Sequence, residues 1–212
     1  MSAYDAVLFD YGGVFTSSPF AAVESRGAEL GADPRVLLDT IFGPYHADTD
    51  HPWHCLERGE IALSVAVEAI IELGVERGVD ADPFKFFSAM AVGGINQTVV
   101  ECTRGLRNDG IKTALVTNNA AEFRKSWRDS IPVDELFDVV VDSSEEGVRK
   151  PDPRIFELTL ARLGVEAVRS VFLDDFAGNV TAAESLGITG ILVGSDQAQA
   201  VAELETLLGR SE

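Results

Sequence analysis

Basic residues are the chain's main shortage. Seventeen Lys and Arg stand against 35 Asp and Glu in 212 residues, giving a net charge of −18. A field of that sign repels phosphodiester backbones and anionic lipid, which argues against nucleic acid or a membrane surface as partner. It also repels small anions, so an anion-binding site here needs a cation of its own, either a metal ion or a placed Lys. Cysteine is scarce as well. Cys55 and Cys102 have neither metal-ligand spacing nor the numbers of a disulfide framework, and read as small, partly buried apolar side chains. No apolar run is long enough to span a bilayer, and no basic-then-apolar leader opens the chain. A strand pattern starts within the first few residues, so a cytoplasmic location is expected.

What is present is the composition of a globular protein, with enough length for one large domain or a core carrying an insertion. Ala6-Val7-Leu8-Phe9 reads as a buried strand, stopped by Asp10 and followed by Gly12 and Gly13. Glycines there permit a sharp turn and close approach of backbone to a ligand. The next stretch, to about Gly94, is helical in pattern: Pro19 to Leu30, Pro34 to Phe42, Ile61 to Arg77 and Pro83 to Val92. Asp33-Pro34 and Asp82-Pro83 have the form of helix starts, an N-cap carboxylate before a proline. Within this block, residues 45–54 read as a polar, aromatic loop holding all three histidines, His46, His51 and His54. Their spacing fits no standard metal-ligand frame, so loop surface or a substrate-facing rim is expected.

After Gly94 helix and strand alternate. Helices are expected over Asn96–Asn108, Ala120–Arg128, Pro153–Leu163, Ala177–Leu186 and Gln197–Leu208, with strands at Ile111–Thr117, Phe137–Asp142, Ser170–Leu173 and Gly190–Val193. Short, β-branched, nearly all-apolar strands suit a sheet covered on both faces. The alternation predicts an α/β fold: a doubly wound, Rossmann-like parallel sheet with right-handed crossovers. The first strand must join the later ones. The core is therefore expected at 1–16 and 95–212, with 17–94 an inserted helical cap.

The strand ends carry the chemistry. Strand one ends at Asp10, and strand two at Thr117-Asn118-Asn119. Strand three is followed by Arg149-Lys150-Pro151-Asp152-Pro153, and strand four ends at Asp174-Asp175, with Asn179 four residues on. Carboxylates brought together at one sheet edge repel unless a hard cation sits among them, and Mg²⁺ with oxygen ligands suits. An ionised Asp attacks phosphorus once a metal and a Lys neutralise the phosphoryl oxygens, while a Thr hydroxyl and backbone amides hold the remainder. Each feature alone has an ordinary explanation, such as a helix cap, a turn or a solvated charge. Four in order at consecutive strand ends do not.

In that order the motifs resemble those of the haloacid dehalogenase superfamily, over the whole chain. The resemblance implies Asp10 as nucleophile and Thr117, with Asn118 beside it, as phosphate-binding. It implies Lys150 as the neutralising cation and Asp174 and Asp175 as the metal-binding acidic pair. It further implies Asp175 as the direct Mg²⁺ ligand, with Asp174 expected to order a bound water or Lys150. The insertion corresponds to the cap of the type-one branch. Leu56-Glu57-Arg58-Gly59-Glu60-Ile61 and Arg149-Lys150-Pro151-Asp152-Pro153-Arg154-Ile155-Phe156 are similar to the subgroup holding a glucose-1-phosphate phosphatase and the N-terminal phosphatase domain of soluble epoxide hydrolase.

One position departs. Most phosphatases of the superfamily carry a second Asp two residues after the nucleophile, as general acid and base, and here that residue is Gly12. Its carbonyl can still serve the metal, but the side-chain proton transfer is lost, a contribution of about 10²–10⁴-fold. The leading expectation is a Mg²⁺-dependent phosphatase acting on a small phosphomonoester, a sugar phosphate by analogy. The alternatives are a phosphate-binding module impaired at Gly12 and a 2-haloacid dehalogenase, against which the acidic pair argues. Tyr45, His46, Trp53, His54 and Arg58 are the candidates for substrate selection by the cap, and Gly13, Val14 and Phe15 for shaping the hinge between core and cap. Gly13 is also a candidate for substrate binding. The state is monomer or homodimer.

Overall fold

The computed structural model describes residues 3–29, 31–86 and 94–210. Five parallel strands, β1 (Ala6–Phe9), β2 (Lys112–Thr117), β3 (Val139–Asp142), β4 (Ser170–Asp174) and β5 (Thr189–Leu192), form one sheet in the order β3-β2-β1-β4-β5. The period-2 geometry of a strand sends Val7 and Phe9 into one core cluster and Ala6 and Leu8 into another. On the first face, helices α5 (Gln97–Asn108) and α11 (Gln197–Leu207) contribute Val99, Leu106, Ala200 and Leu204. On the second, α9 (Pro153–Leu163) and α10 (Ala177–Ser185) contribute Ile155, Phe156, Leu160 and Ala183. Both faces being covered explains why the strands are apolar throughout.

Register sets the functional edge. Phe9 pairs with Leu115 of β2 and Leu173 of β4, so Asp10 follows level with Val116 and Asp174. Strand order turns back between β1 and β4, and the crevice at such a point is where open α/β sheets bind ligands.

Helices α1 (Pro19–Glu29), α2 (Pro34–Ile41), α3 (Pro52–Glu57) and α4 (Leu63–Arg77) follow β1 and build a third cluster around Val23, Leu37, Ile41, Phe42, Trp53, Leu56 and Ile70. This is the helical cap on the Rossmann-like core. Departing and returning chain are tied together where they cross. Asn96 N donates to Phe15 O (2.8 Å), and Gln197 Nε2 to the carbonyls of Gly13 and Thr16 (both 3.3 Å).

Helix starts are where the sequence places them. Asp33 accepts from the N–H of Arg35 at 2.9 Å, Asp152 from that of Arg154 at 2.9 Å, and Asp82 from that of Phe84 at 3.0 Å. The helix expected from Pro83 runs beyond Phe86 into residues 87–92, outside the described residues, as is Leu30. Three elements differ from the expectation. Residues 120–128 divide into a 3₁₀ turn (Ala121–Phe123) and α6 (Arg124–Ser130). Two one-turn helices, α7 (Val133–Leu136) and α8 (Ser143–Glu146), flank β3, which starts at Val139 and not at Phe137. The supposed loop 45–54 holds the start of α3, with Pro52 at its first position and His51 Nδ1 accepting from Trp53 N at 3.2 Å. A six-residue helix is too short to show a 3.6-residue period.

Candidate active site

Asp10, Thr117, Lys150, Asp174 and Asp175 come together at the carboxyl edge of the central strands. Lys150 is fully buried, and its Nζ lies 2.8 Å from Asp10 Oδ1 and 2.7 Å from Asp174 Oδ2. The acidic pair has two distinct environments. Asp174 is saturated: besides Lys150, it accepts from Phe176 N at 2.7 Å and from Asn179 Nδ2 at 3.0 and 3.2 Å. Asp175 turns toward the cleft, and its buried Oδ2 has no hydrogen-bond partner. Alternation along the chain explains the split, since neighbouring side chains at a strand end point opposite ways.

Burial pushes the carboxyl pKa values of Asp10 and Asp175 well up, and the neighbouring carboxylates push them further, against the pull of Lys150. The Lys150 ammonium is driven the other way by burial, but the facing Asp10 and Asp174 outweigh this and raise its pKa. One cation among three carboxylates is too few. Asp10, Asp174 and Asp175 each offer an oxygen within 4.8 Å of the others, the one such grouping among the described residues. A second buried oxygen, Asn179 Oδ1, also lacks a partner. Gly13 completes the cradle, for at its φ of +72° a Cβ would stand 2.1 Å from Asp175 Cγ. Oxygen donors alone, some unpartnered, fit a hard divalent cation. A family model described as haloacid dehalogenase-like hydrolase matches residues 4–187.

The chain belongs to the haloacid dehalogenase-like hydrolases.

Among curated relatives, mouse Acyl-CoA dehydrogenase family member 10 is 37% identical over 98% of this chain, and mouse Bifunctional epoxide hydrolase 2 is 31% identical over 95%. The chain spans only 19% and 38% of those proteins' lengths. The sesquiterpene phosphatase astK of Aspergillus oryzae is 26% identical, with 98% of each chain covered. Among solved structures, an HAD family enzyme of Bacteroides thetaiotaomicron, in complex with magnesium and inorganic phosphate, superposes with a TM-score of 0.62 at 19% identity, covering 93% of this chain and 98% of that one. It is similar in fold.

In this hydrolase the acidic floor opens into a cleft of about 560 Å³ between core and cap. Gly12, Thr117, Asn118 and Asn179 line it from the core, and Phe20, Phe42, Tyr45, Trp53 and Glu57 from the cap. A ring of contacts joins the two sides. Glu57 Oε2 accepts from Arg149 Nε at 2.7 Å, and its Oε1 from Tyr45 Oη and Trp53 Nε1, both at 2.9 Å. Asn118 Nδ2 reaches Tyr45 Oη at 3.3 Å and the Lys150 carbonyl at 2.9 Å, while its Oδ1 accepts from Lys150 N at 2.8 Å. Arg149 is fully buried, Glu57 is 3% exposed, and the Arg149 guanidinium lies 4.6 Å over the Tyr45 ring. Thus Glu57 and Arg149, quoted in the sequence motifs without a role, anchor the cap to the Lys150 segment.

Several anticipated cap residues lie elsewhere. Trp53 lines the cleft, but His46 and Arg58 do not. His46 is exposed, its backbone packed near Gly178, and Arg58 is consumed by Asp48, Glu60 and the Thr49 carbonyl. His54 is neither surface nor rim: it is fully buried in α3, its Nδ1 accepting from Thr49 N at 3.1 Å. Gly13 serves the acidic floor and not the cleft wall. Phe20, Phe123 and Trp127 were not anticipated on the cleft wall, and no spacing in the sequence singles them out.

Proposed function

We propose that the chain is a Mg²⁺-dependent phosphatase that hydrolyses a small phosphomonoester through an aspartyl-phosphate on Asp10. What carries this reading is the floor, where Lys150 bridges Asp10 and Asp174 while Asp175, which lines the cleft, keeps a buried oxygen without a partner. Asp10, Asp175 and the Gly12 carbonyl would hold the metal, which supplies positive charge against the phosphoryl oxygens and keeps the carboxylates ionised. Lys150 keeps Asp10 ionised and oriented and adds a second positive charge at the reacting group. Thr117, 2% exposed at the end of β2, orients the phosphoryl group, with Asn118 setting the Lys150 backbone. Asp174 fixes the ammonium. The cap (17–94 on a core of 1–16 and 95–212) excludes bulk water.

Gly12 favours a second reading. It lines the cleft with no carboxylate to move a proton, and a phosphate-binding module without turnover would look the same on this floor. A dehalogenase, whose carbon chemistry needs no metal, would leave the acidic pair without use. The chain would act in the cytoplasm on a small phosphorylated molecule, as a monomer or homodimer, with neither nucleic acid nor membrane as partner. The net charge of −18 supports this, and among the described residues no helix is long and apolar enough to cross a membrane.

The test is phosphate release from a panel including acetyl phosphate, p-nitrophenyl phosphate and sugar phosphates, with Mg²⁺, with EDTA, and with Asp10→Asn. Release that needs both Mg²⁺ and Asp10 supports the phosphatase. Mg²⁺ and phosphate binding without release supports the module. Release of halide from a 2-haloacid in EDTA supports the dehalogenase.

A further inference from the structure

The cleft is walled by Phe20, Phe42, Tyr45, Trp53, Phe123 and Trp127, and no Lys, Arg or His lies among its described lining residues. Several of the polar groups that do line it are committed. Both Glu57 oxygens are taken by Tyr45, Trp53 and Arg149, so its charge is already matched. The Asn118 amide is spent on Lys150 and Tyr45. Ser130 Oγ donates to the Trp127 carbonyl at 2.6 Å and meets Tyr11 Oη at 2.7 Å, while Asn119 Oδ1 accepts from Ala120 N at 2.9 Å. A leaving group rich in hydroxyls would lose its water and find few partners, whereas an apolar one gains from every carbon it buries. A volume of about 560 Å³ is that of an ordinary small-molecule site, well beyond what a phosphate alone occupies.

We infer that the natural substrate is the phosphomonoester of an apolar alcohol, whose hydrocarbon part lies against the aromatic walls while the phosphate meets the Asp10–Lys150 floor. This rests on the phosphatase reading and replaces the sugar phosphate suggested by analogy. Mixed ownership of the walls gives the inference a specific form. Phe20, Phe42, Tyr45 and Trp53 come from the cap, and Phe123 and Trp127 from the core, so the hydrocarbon is gripped by both parts. Phe20 meets Phe42 and Tyr45 edge-on at 5.2 and 4.8 Å between ring centres, which holds the wall in shape.

The experiment measures kcat/KM for n-alkyl phosphates from propyl to octyl, with glucose 1-phosphate for comparison and acetyl phosphate as a substrate too small to reach the walls. Leaving-group acidity is nearly constant along the alkyl series, so its slope reports burial. We expect a rise of up to about fourfold per added methylene until the cleft is filled. Octyl phosphate should exceed glucose 1-phosphate at least about 100-fold, as several buried methylenes imply. Phe20→Ser in the cap and Phe123→Ser in the core should each lower the octyl-to-acetyl ratio about tenfold, equivalent to one to two methylenes. A ratio is read within one preparation, so partial loss of folded protein cancels. A flat alkyl series, or preference for glucose 1-phosphate, with acetyl phosphate still hydrolysed, overturns this inference and leaves the phosphatase reading standing. No Mg²⁺- and Asp10-dependent hydrolysis of any of these substrates overturns both.

Discussion

Glu57 and Arg149 tie cap to core through one buried contact. Glu57→Gln keeps an oxygen for Tyr45 and Trp53 but removes the charge opposite a guanidinium that has no exposure to solvent. Breaking a buried pair from one side costs about 3–5 kcal/mol, because the remaining charge is stranded. Asp48, whose Oδ1 lies 3.7 Å from Arg149 Nη1, blunts this and sets the expectation at the lower end. For a chain of 212 residues, about 3 kcal/mol corresponds to a fall in Tm of about 6–12 °C. By contrast Glu60→Gln breaks a pair with Arg58 from its 50% exposed side, worth about 0–1 kcal/mol. Arg149→Met should cost about as much as Glu57→Gln, and the double variant should recover at least about 2 kcal/mol of their summed loss, since no stranded charge is left. Activity should not recover with it. Arg149 neighbours Lys150 and the ring orients that segment, so all three variants should lose kcat, by up to about 10²-fold. The assay is thermal and urea unfolding of the four proteins with parallel turnover of acetyl phosphate. Losses that add within about 0.5 kcal/mol would refute the buried pair as the source of the stability.

Other outcomes follow from the same geometry. A Cβ on Gly12 would meet only Pro19, at 3.5 Å from its Cδ, so Gly12→Asp fits; turnover of alkyl phosphates should climb toward the about 10²–10⁴-fold that a placed acid contributes. No gain in kcat would show that another group already delivers the proton. Gly13→Ala, by contrast, drives a methyl into the Asp175 carboxylate and should weaken Mg²⁺ at least about tenfold by calorimetry. Affinity near that of the wild type would contradict the placement of Asp175. Burial lowers the imidazole pKa of His51 to about 4 and of His54 to about 3 from 6.5. Between those values and 6.5 the unfolded chain binds more protons than the folded one, so this part of the stability is present above pH 6.5 and is lost as pH falls toward 4 and 3. Tm should therefore drop from pH 7 to pH 5, and His51→Asn/His54→Asn should flatten the drop. An unchanged slope would show that these histidines do not carry it.

The sequence conveyed more of the floor than of the walls. Asp10, Thr117 and Asp174-Asp175 each stand at or just after a strand readable from its apolar run, Lys150 follows β3 after one turn of helix, and parallel strands must present their ends on one edge. Adjacency in the sheet then does the rest, with Asp10 between the ends of β2 and β4. Contacts between distant residues were not readable. Glu57 and Arg149 are 92 positions apart, and nothing in either motif says that one meets the other. Histidine chemistry misled in the same way, because a residue capable of lining a rim is also capable of filling a cap core. His54 does the second. Arg58 looked available only because Asp48 and Glu60 could not be seen beside it. Trp127 lines the cleft from a helix that begins only after a 3₁₀ turn, a break that the apolar period of residues 120–128 does not encode.

The central claim is that Asp10 carries the phosphoryl group between substrate and water. Rapid acid quench of the Mg²⁺-loaded protein during turnover of acetyl phosphate, followed by peptide mass spectrometry, tests it directly. If Asp10 is the nucleophile, the peptide holding it gains the mass of one phosphoryl group, and the gain disappears in Asp10→Asn and in EDTA. Steady phosphate release with the phosphoryl mass on another residue, or undiminished release by Asp10→Asn, would contradict it.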